Sequence, residues 1–182
     1  MKTIICFFTF LFVSFLSREA CAQSNTVKRH ADVVSISPDA DRNIAIGADY
    51  INALVAGDWT KVRSLLAPGF MTYGPGALDS ANTEQNAKMW QEQYQTHKNR
   101  EIKIIASTSM QVKEGTHKGD WLLLWLDYKA QFDTTNKSIH VPVQMTIKMD
   151  NGKIAVEQSF FDTGSVYTQL GWTMTPPQTA KK

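Results

Sequence analysis

From Ile102 to Asp162 the chain holds four successive strand-like runs, the first alternating apolar with more polar side chains, and they commit its second half to β-sheet. The runs are 102–112, 121–132, 139–149 and 153–162. Asn151-Gly152 separates the last two and is a strong two-residue hairpin signal. A hairpin there sets Met149 opposite Ile154, Ile147 opposite Val156, Met145 opposite Gln158, Val143 opposite Phe160 and Val141 opposite Asp162. A turn over residues 134–137 sets Phe132 opposite Ile139, Ala130 opposite Val141, Tyr128 opposite Val143, Leu126 opposite Met145 and Leu124 opposite Ile147. Side chains directly across a ladder share a face. Leu122, Leu124, Leu126, Tyr128, Ala130, Phe132 and their partners therefore form one oily face that other elements must cover. A slip of one residue would exchange that face for the other.

Helical spacing precedes the sheet. Ile44, Gly47/Ala48, Ile51 and Leu54/Val55 form one apolar stripe, with Asp39 or Asp41 as its cap and Gly57-Asp58 as its stop. A second short helix is expected over 59–67, carrying Val62, Leu65 and Leu66 inward and ending at Pro68-Gly69. A short strand, 70–73, leads into Gly74-Pro75-Gly76. A third helix, capped by Asn82 or Thr83, carries Ala87, Trp90, Tyr94 and His97 at spacings of three and four.

Residues 1–22 read as a signal peptide: Lys2, an apolar run over 4–16, then Ala20-Cys21-Ala22 as a cleavage site. The expected destination is the periplasm or the medium, with a lipoprotein anchored at Cys21 as the alternative. The apolar run is too short to span a bilayer. Residues 23–40 read as a flexible lead, 41–172 as one α+β domain, and 173–182 as a disordered tail.

The chemistry on the inner face is sparse. One carboxylate, Asp162, falls in the oily set with Ile154, Val156, Gln158 and Phe160. A carboxylate there is costly unless paired, hydrogen-bonded or protonated. It is either a pocket acid/base or a turn cap at the strand end. Tyr128 and Gln158 are its expected companions, with Met145 and Phe160 as apolar lining. Tyr73, before the Gly-Pro-Gly loop, is a rim aromatic or an oxyanion donor. Trp90, Tyr94 and Tyr50 are packing residues that can also wall a pocket.

The outer face combines Trp121, Leu123, Trp125 and Phe161 with Asp127, Lys129, His140, Gln144, Thr146, Lys148 and Glu157. So much apolar surface points to a partner, most simply a second copy of the chain.

Several classes are excluded or unsupported. The formal net charge is +2, too small to favour nucleic acid or anionic membrane. Both cysteines, Cys6 and Cys21, fall in the leader, so the mature chain has no thiolate chemistry. His30, His97, His117 and His140 share no metal-ligand spacing, and no Gly-x-Ser-x-Gly is present. No metal or other cofactor is expected.

Ala56-Gly57-Asp58-Trp59, Asp120-Trp121, Asp150-Asn151-Gly152-Lys153-Ile154, Phe160-Phe161-Asp162-Thr163 and Gln169-Leu170-Gly171 together resemble the pattern of SnoaL-like proteins in the nuclear transport factor 2-like (NTF2-like) superfamily. The resemblance implies a cone, three N-terminal helices packed on a curved, mostly antiparallel sheet with a pocket between the layers. It also implies a small-molecule site, either a binding pocket for a mostly apolar ligand or an isomerase, cyclase or dehydratase centre with an acid or base. Asp162 matches the Asp of the C-terminal motif. Many relatives carry a His where Gln144 stands, so no His/Asp pair carries over.

Overall fold

The structure is a computed structural model that describes residues 29–173 and 175. The expected signal peptide, Cys21 and most of the expected tail lie outside the described residues.

The 3.6-residue stripe forms α2 (Ala40–Ala56), which follows a short helix α1 (His30–Val33) and an edge strand β1 (Val34–Ile36). The expected flexible lead thus holds an edge strand, with Val34, Ser35 and Ile36 opposite Val112, Gln111 and Met110. Gly57 ends α2 in the left-handed region, at φ 74°, and its amide returns to the last turn. Asp58 caps α3 (Trp59–Leu65) by accepting from the Lys61 amide. The helix ends two residues earlier than expected, because Leu66 already belongs to β2 (Leu66–Tyr73). After β3 (Ser80–Asn82), α4 (Thr83–Thr96) opens with a full capping box between Asn82 and Gln85. The meander follows as β4 (His97–Val112), β5 (Gly119–Phe132), β6 (Ser138–Asp150) and β7 (Lys153–Phe160), closed by α5 (Thr163–Gln169).

The seven strands form one open sheet in the order β1-β4-β5-β6-β7-β2-β3. All neighbours are antiparallel except β2 and β7, which run parallel. Leu122, Leu124 and Ile147 point inward and are fully buried with Ile51, Leu54 and Val62 from α2 and α3. Gly47 lets α2 lie close on the sheet: a β-carbon there would stand 2.3 Å from Leu122 Cδ2.

Two register expectations need correction. In the β5–β6 ladder Ala130 pairs with Ile139, Leu126 with Val143 and Leu124 with Met145. The whole pairing is shifted by two, which preserves the inner face because side chains alternate with period two. In the β6–β7 ladder the error is one residue. Asn151 and Gly152 adopt φ of 48° and 73°, as the hairpin turn requires, and Met149 does face Ile154. The next pair is Lys148 with Val156, so Ala155 is surplus and forms a β-bulge. Beyond it Ile147 faces Glu157, Met145 faces Ser159 and Gln144 faces Phe160. The second half of β7 is turned over.

Gly47→Val puts a branched side chain into the contact with Leu122 and should lower unfolding free energy by about 1–3 kcal/mol. Urea denaturation measures it; an unchanged midpoint would show that α2 does not bear on the sheet there.

Candidate functional site

The bulge at Ala155 decides which carboxylate reaches the interior. Glu157, Ser159 and Phe161 point inward, whereas Val156, Gln158 and Phe160 point outward. Glu157 is 6% exposed and lies beside Thr72 in the parallel β2–β7 ladder. Tyr50, fully buried on the sheet-facing side of α2, donates its hydroxyl to Glu157 Oε2 at 2.5 Å. On the other oxygen, Oε1 accepts from Ser159 at 3.1 Å and, more weakly, from Thr72 at 3.4 Å. Three hydroxyls from three different elements thus converge on one carboxyl group. Burial raises its pKa above the ordinary 4.5, and the hydrogen bonds from Tyr50, Ser159 and Thr72 offset only part of the rise. Burial, then the charge of Glu157, also raises the Tyr50 phenol, which stays a neutral donor.

Glu157 lines an apolar cavity of about 200 Å³ between the sheet and the helices. Ile51 and Leu54 of α2, Trp90 and Gln93 of α4, and Leu126, Val143 and Met145 of the sheet form its walls. Phe161 and Val166 close one side as the chain enters α5. A second polar pair lines the same cavity: His97 Nδ1 stands 3.1 Å from the Tyr128 hydroxyl. The His97 ring stacks obliquely on Phe132, 4.0 Å between centroids. Burial, helped by the Arg100 charge, lowers the His97 pKa, and burial pushes the Tyr128 phenol up to about 12. Arg100 itself donates to the His97 carbonyl at 2.6 Å and sits 4.2 Å above the Tyr94 ring.

Of the residues expected at a pocket, Trp90, Tyr128 and Met145 line the cavity. Tyr94 does not; it packs between Trp59 and Trp90 behind the wall. Tyr73, Gln158 and Phe160 are on the opposite face, around a separate shallow concavity with Trp121 and Lys148. Asp162 is exposed and caps α5, accepting from the Ser165 amide at 2.9 Å. Asp-x-x-Ser ahead of Val166 and Tyr167 is a helix-start signal that competes with a strand running through Asp162. Gln144 stays on the outer face, bonded to Thr146. Glu157 and Phe161, expected outside, are inside. His97, expected at the end of a helical stripe, begins β4 and turns into the cavity. Among the described residues no group of three or more His, Cys, Asp or Glu could hold a metal ion. No helix among them is long and apolar enough to cross a membrane.

The pKa shifts have opposite signs for stability. Glu157 binds its proton more tightly folded than unfolded, so the fold loses stability as pH rises from about 4.5 toward the raised value. His97 binds its proton less tightly folded, so the fold loses stability as pH falls below 6.5 toward the lowered value. Glu157→Gln should abolish the first decline, leaving a variant at least as stable as wild type at pH 7.5. Melting temperatures from pH 4 to 8 check this; parallel curves for the two proteins would mean that Glu157 titrates as an exposed acid. Tyr50→Phe should cost about 1–3 kcal/mol by orphaning one Glu157 oxygen, read by urea unfolding at pH 7.

No family model matches the chain. No curated protein sequence matches it either. Solved structures do match its fold. A Catenulispora acidiphila protein with a ketosteroid isomerase-like fold, in complex with trimethylamine, aligns over 72% of this chain and 97% of its own at TM-score 0.58 and 14% identity. A protein described as a SnoaL-like polyketide cyclase from Shewanella denitrificans aligns over 70% and 96% at TM-score 0.57 and 14% identity. An NTF2-like protein from Burkholderia xenovorans aligns over 75% and 100% at TM-score 0.56 and 15% identity. The chain therefore has the NTF2-like fold, shared with SnoaL-like proteins.

Proposed function

We propose that this protein binds a compact, mostly apolar small molecule in the cavity between sheet and helices, with Glu157 as its polar anchor. The observation that carries this reading is a fully formed apolar cavity into which a single carboxyl group is aimed. Pockets of this composition, apolar walls with a few placed polar groups, are the usual form of small-molecule sites. The trimethylamine held by the Catenulispora protein supports a small-molecule role for the same fold. Small alcohols or ketones such as cyclohexanol and cyclohexanone should raise the melting temperature in a saturable way. Val143→Trp, which fills the cavity, should remove the shift. A wild-type melting temperature untouched by any such compound would overturn the reading.

A second reading has its own support. A buried carboxyl with raised proton affinity is suited to moving a proton next to a carbonyl group. The reactions would be those of an isomerase, cyclase or dehydratase. In that case Glu157→Gln abolishes turnover and Asp162→Asn, which touches only the α5 cap, leaves it intact. The reverse pattern would move the chemistry to the pocket rim.

The outer sheet face supports a proposal for the assembly. Trp125 and Phe160 are 42% and 46% exposed there, near Trp121 and Leu123. Phe160 takes the place expected of Phe161, because the bulge turns it outward. We propose that a second copy covers this face. Light scattering after gel filtration should give a dimer for wild type and a monomer for Trp125→Glu; a monomeric wild type would end the proposal. Export directed by residues 1–22 is likewise a proposal, resting on their sequence alone. Sequencing the N-terminus of protein recovered from outside the cytoplasm should find Gln23 first.

A further inference from the structure

Among the described residues, the carboxyl group of Glu157 has hydroxyl donors and no ion-pair partner. Tyr50, Ser159 and Thr72 all offer hydroxyl protons to it, which is how a neutral environment accommodates a negative oxygen pair. Among the described residues, the Lys and Arg side chains that make ion pairs make them elsewhere: Arg29 with Asp32, Lys61 with Asp49, Arg63 with Glu84, Lys98 with Asp133. Arg100, the cation near the far end of the cavity, is committed to the His97 carbonyl and the Tyr94 ring. The remaining titratable groups on the cavity wall are His97 and Tyr128, and both are held toward their neutral forms. Asn86 of α4, buried near the Tyr50 hydroxyl, adds a dipole and no charge.

The walls around this carboxyl supply what an organic cation needs. Trp90, Tyr128, Phe132 and Phe161 all line the same space. Aromatic faces attract cations, most strongly where water is excluded. We infer that the ligand of this cavity carries a single protonated amine on a compact apolar body, with the ammonium group ion-paired to Glu157 and the body against the aromatic walls. This deepens the binding reading above and rests on it. An anionic ligand is disfavoured beside Glu157 by the same geometry, because it would meet a carboxyl group that has no ion-pair partner among the described residues. Binding is balanced as follows: the ammonium enters with its charge, Glu157 gives up its proton to solvent where it still holds one, and a neutral buried pair remains.

The test compares cyclohexylamine with cyclohexanol, two molecules of similar shape, by isothermal titration calorimetry at pH 7.5. The wild-type protein should bind the ammonium form at least tenfold more tightly than the alcohol. The Glu157→Gln protein, its fold checked by its melting temperature, should lose that preference. Equal or tighter binding of the alcohol by wild type would overturn the inference and leave the apolar-pocket reading standing. A preference for the amine that survives Glu157→Gln would also overturn it, because the charge would then be read elsewhere. Failure of both compounds to bind would remove the pocket reading and this inference together.

Discussion

Ala155 has no partner across the β6–β7 ladder, and the rest of β7 turns over because of it. The bulge brings Glu157 and Ser159 under α2 and leaves Phe161 facing inward at the strand's end. It also sends Val156, Gln158 and Phe160 to the opposite face. Both surfaces of the sheet therefore take their character from one surplus residue: the inner one gains a carboxyl group, and the outer one gains a phenylalanine. A bulge next to a site, re-aiming a side chain, is a recurrent use of that feature.

The parallel strand β2 completes what the bulge begins. It pairs with β7 across its own irregularity, between Leu66 and Met71, and so delivers Thr72 alongside Glu157. Tyr50 arrives from above on α2, which can approach only because Gly47 presents no side chain to Leu122. Helix, parallel strand and bulged strand each contribute one hydroxyl to a single carboxyl. No two of those residues are close in sequence, except Glu157 and Ser159.

Burial acts on both polar ends of the cavity in the same sense. It raises Glu157, Tyr50 and Tyr128 and lowers His97, so each group is driven toward its uncharged form. The fold carries a stability penalty at neutral pH for the carboxyl it buries, which is a common cost of a preformed site.

Much of this protein was legible in its residues. Alternation in β4 and apolar runs between turn signals placed the four long strands, period-3.6 stripes placed α2 and α4, and Asn151-Gly152 placed the hairpin turn. The oily inner set of β5 and β6 was legible too, since a register error of two residues leaves side chains on their own face. Tyr128 and Met145 belong to that set and Trp90 to the stripe of α4, and all three line the cavity. What local pattern could not decide was the phase of β7 after Ile154. Phe160 and Phe161 are adjacent, so either phase buries one aromatic ring, and hydrophobicity does not discriminate between them. Asp162 against Glu157 follows that undecided phase. Tertiary structure carries the choice: pairing with β2, the hydroxyl of Tyr50 above and the capping of α5 by Asp162 all accompany the bulge at Ala155. Long-range contacts between elements distant in the chain carry that decision, and periodicity within a strand holds no record of them.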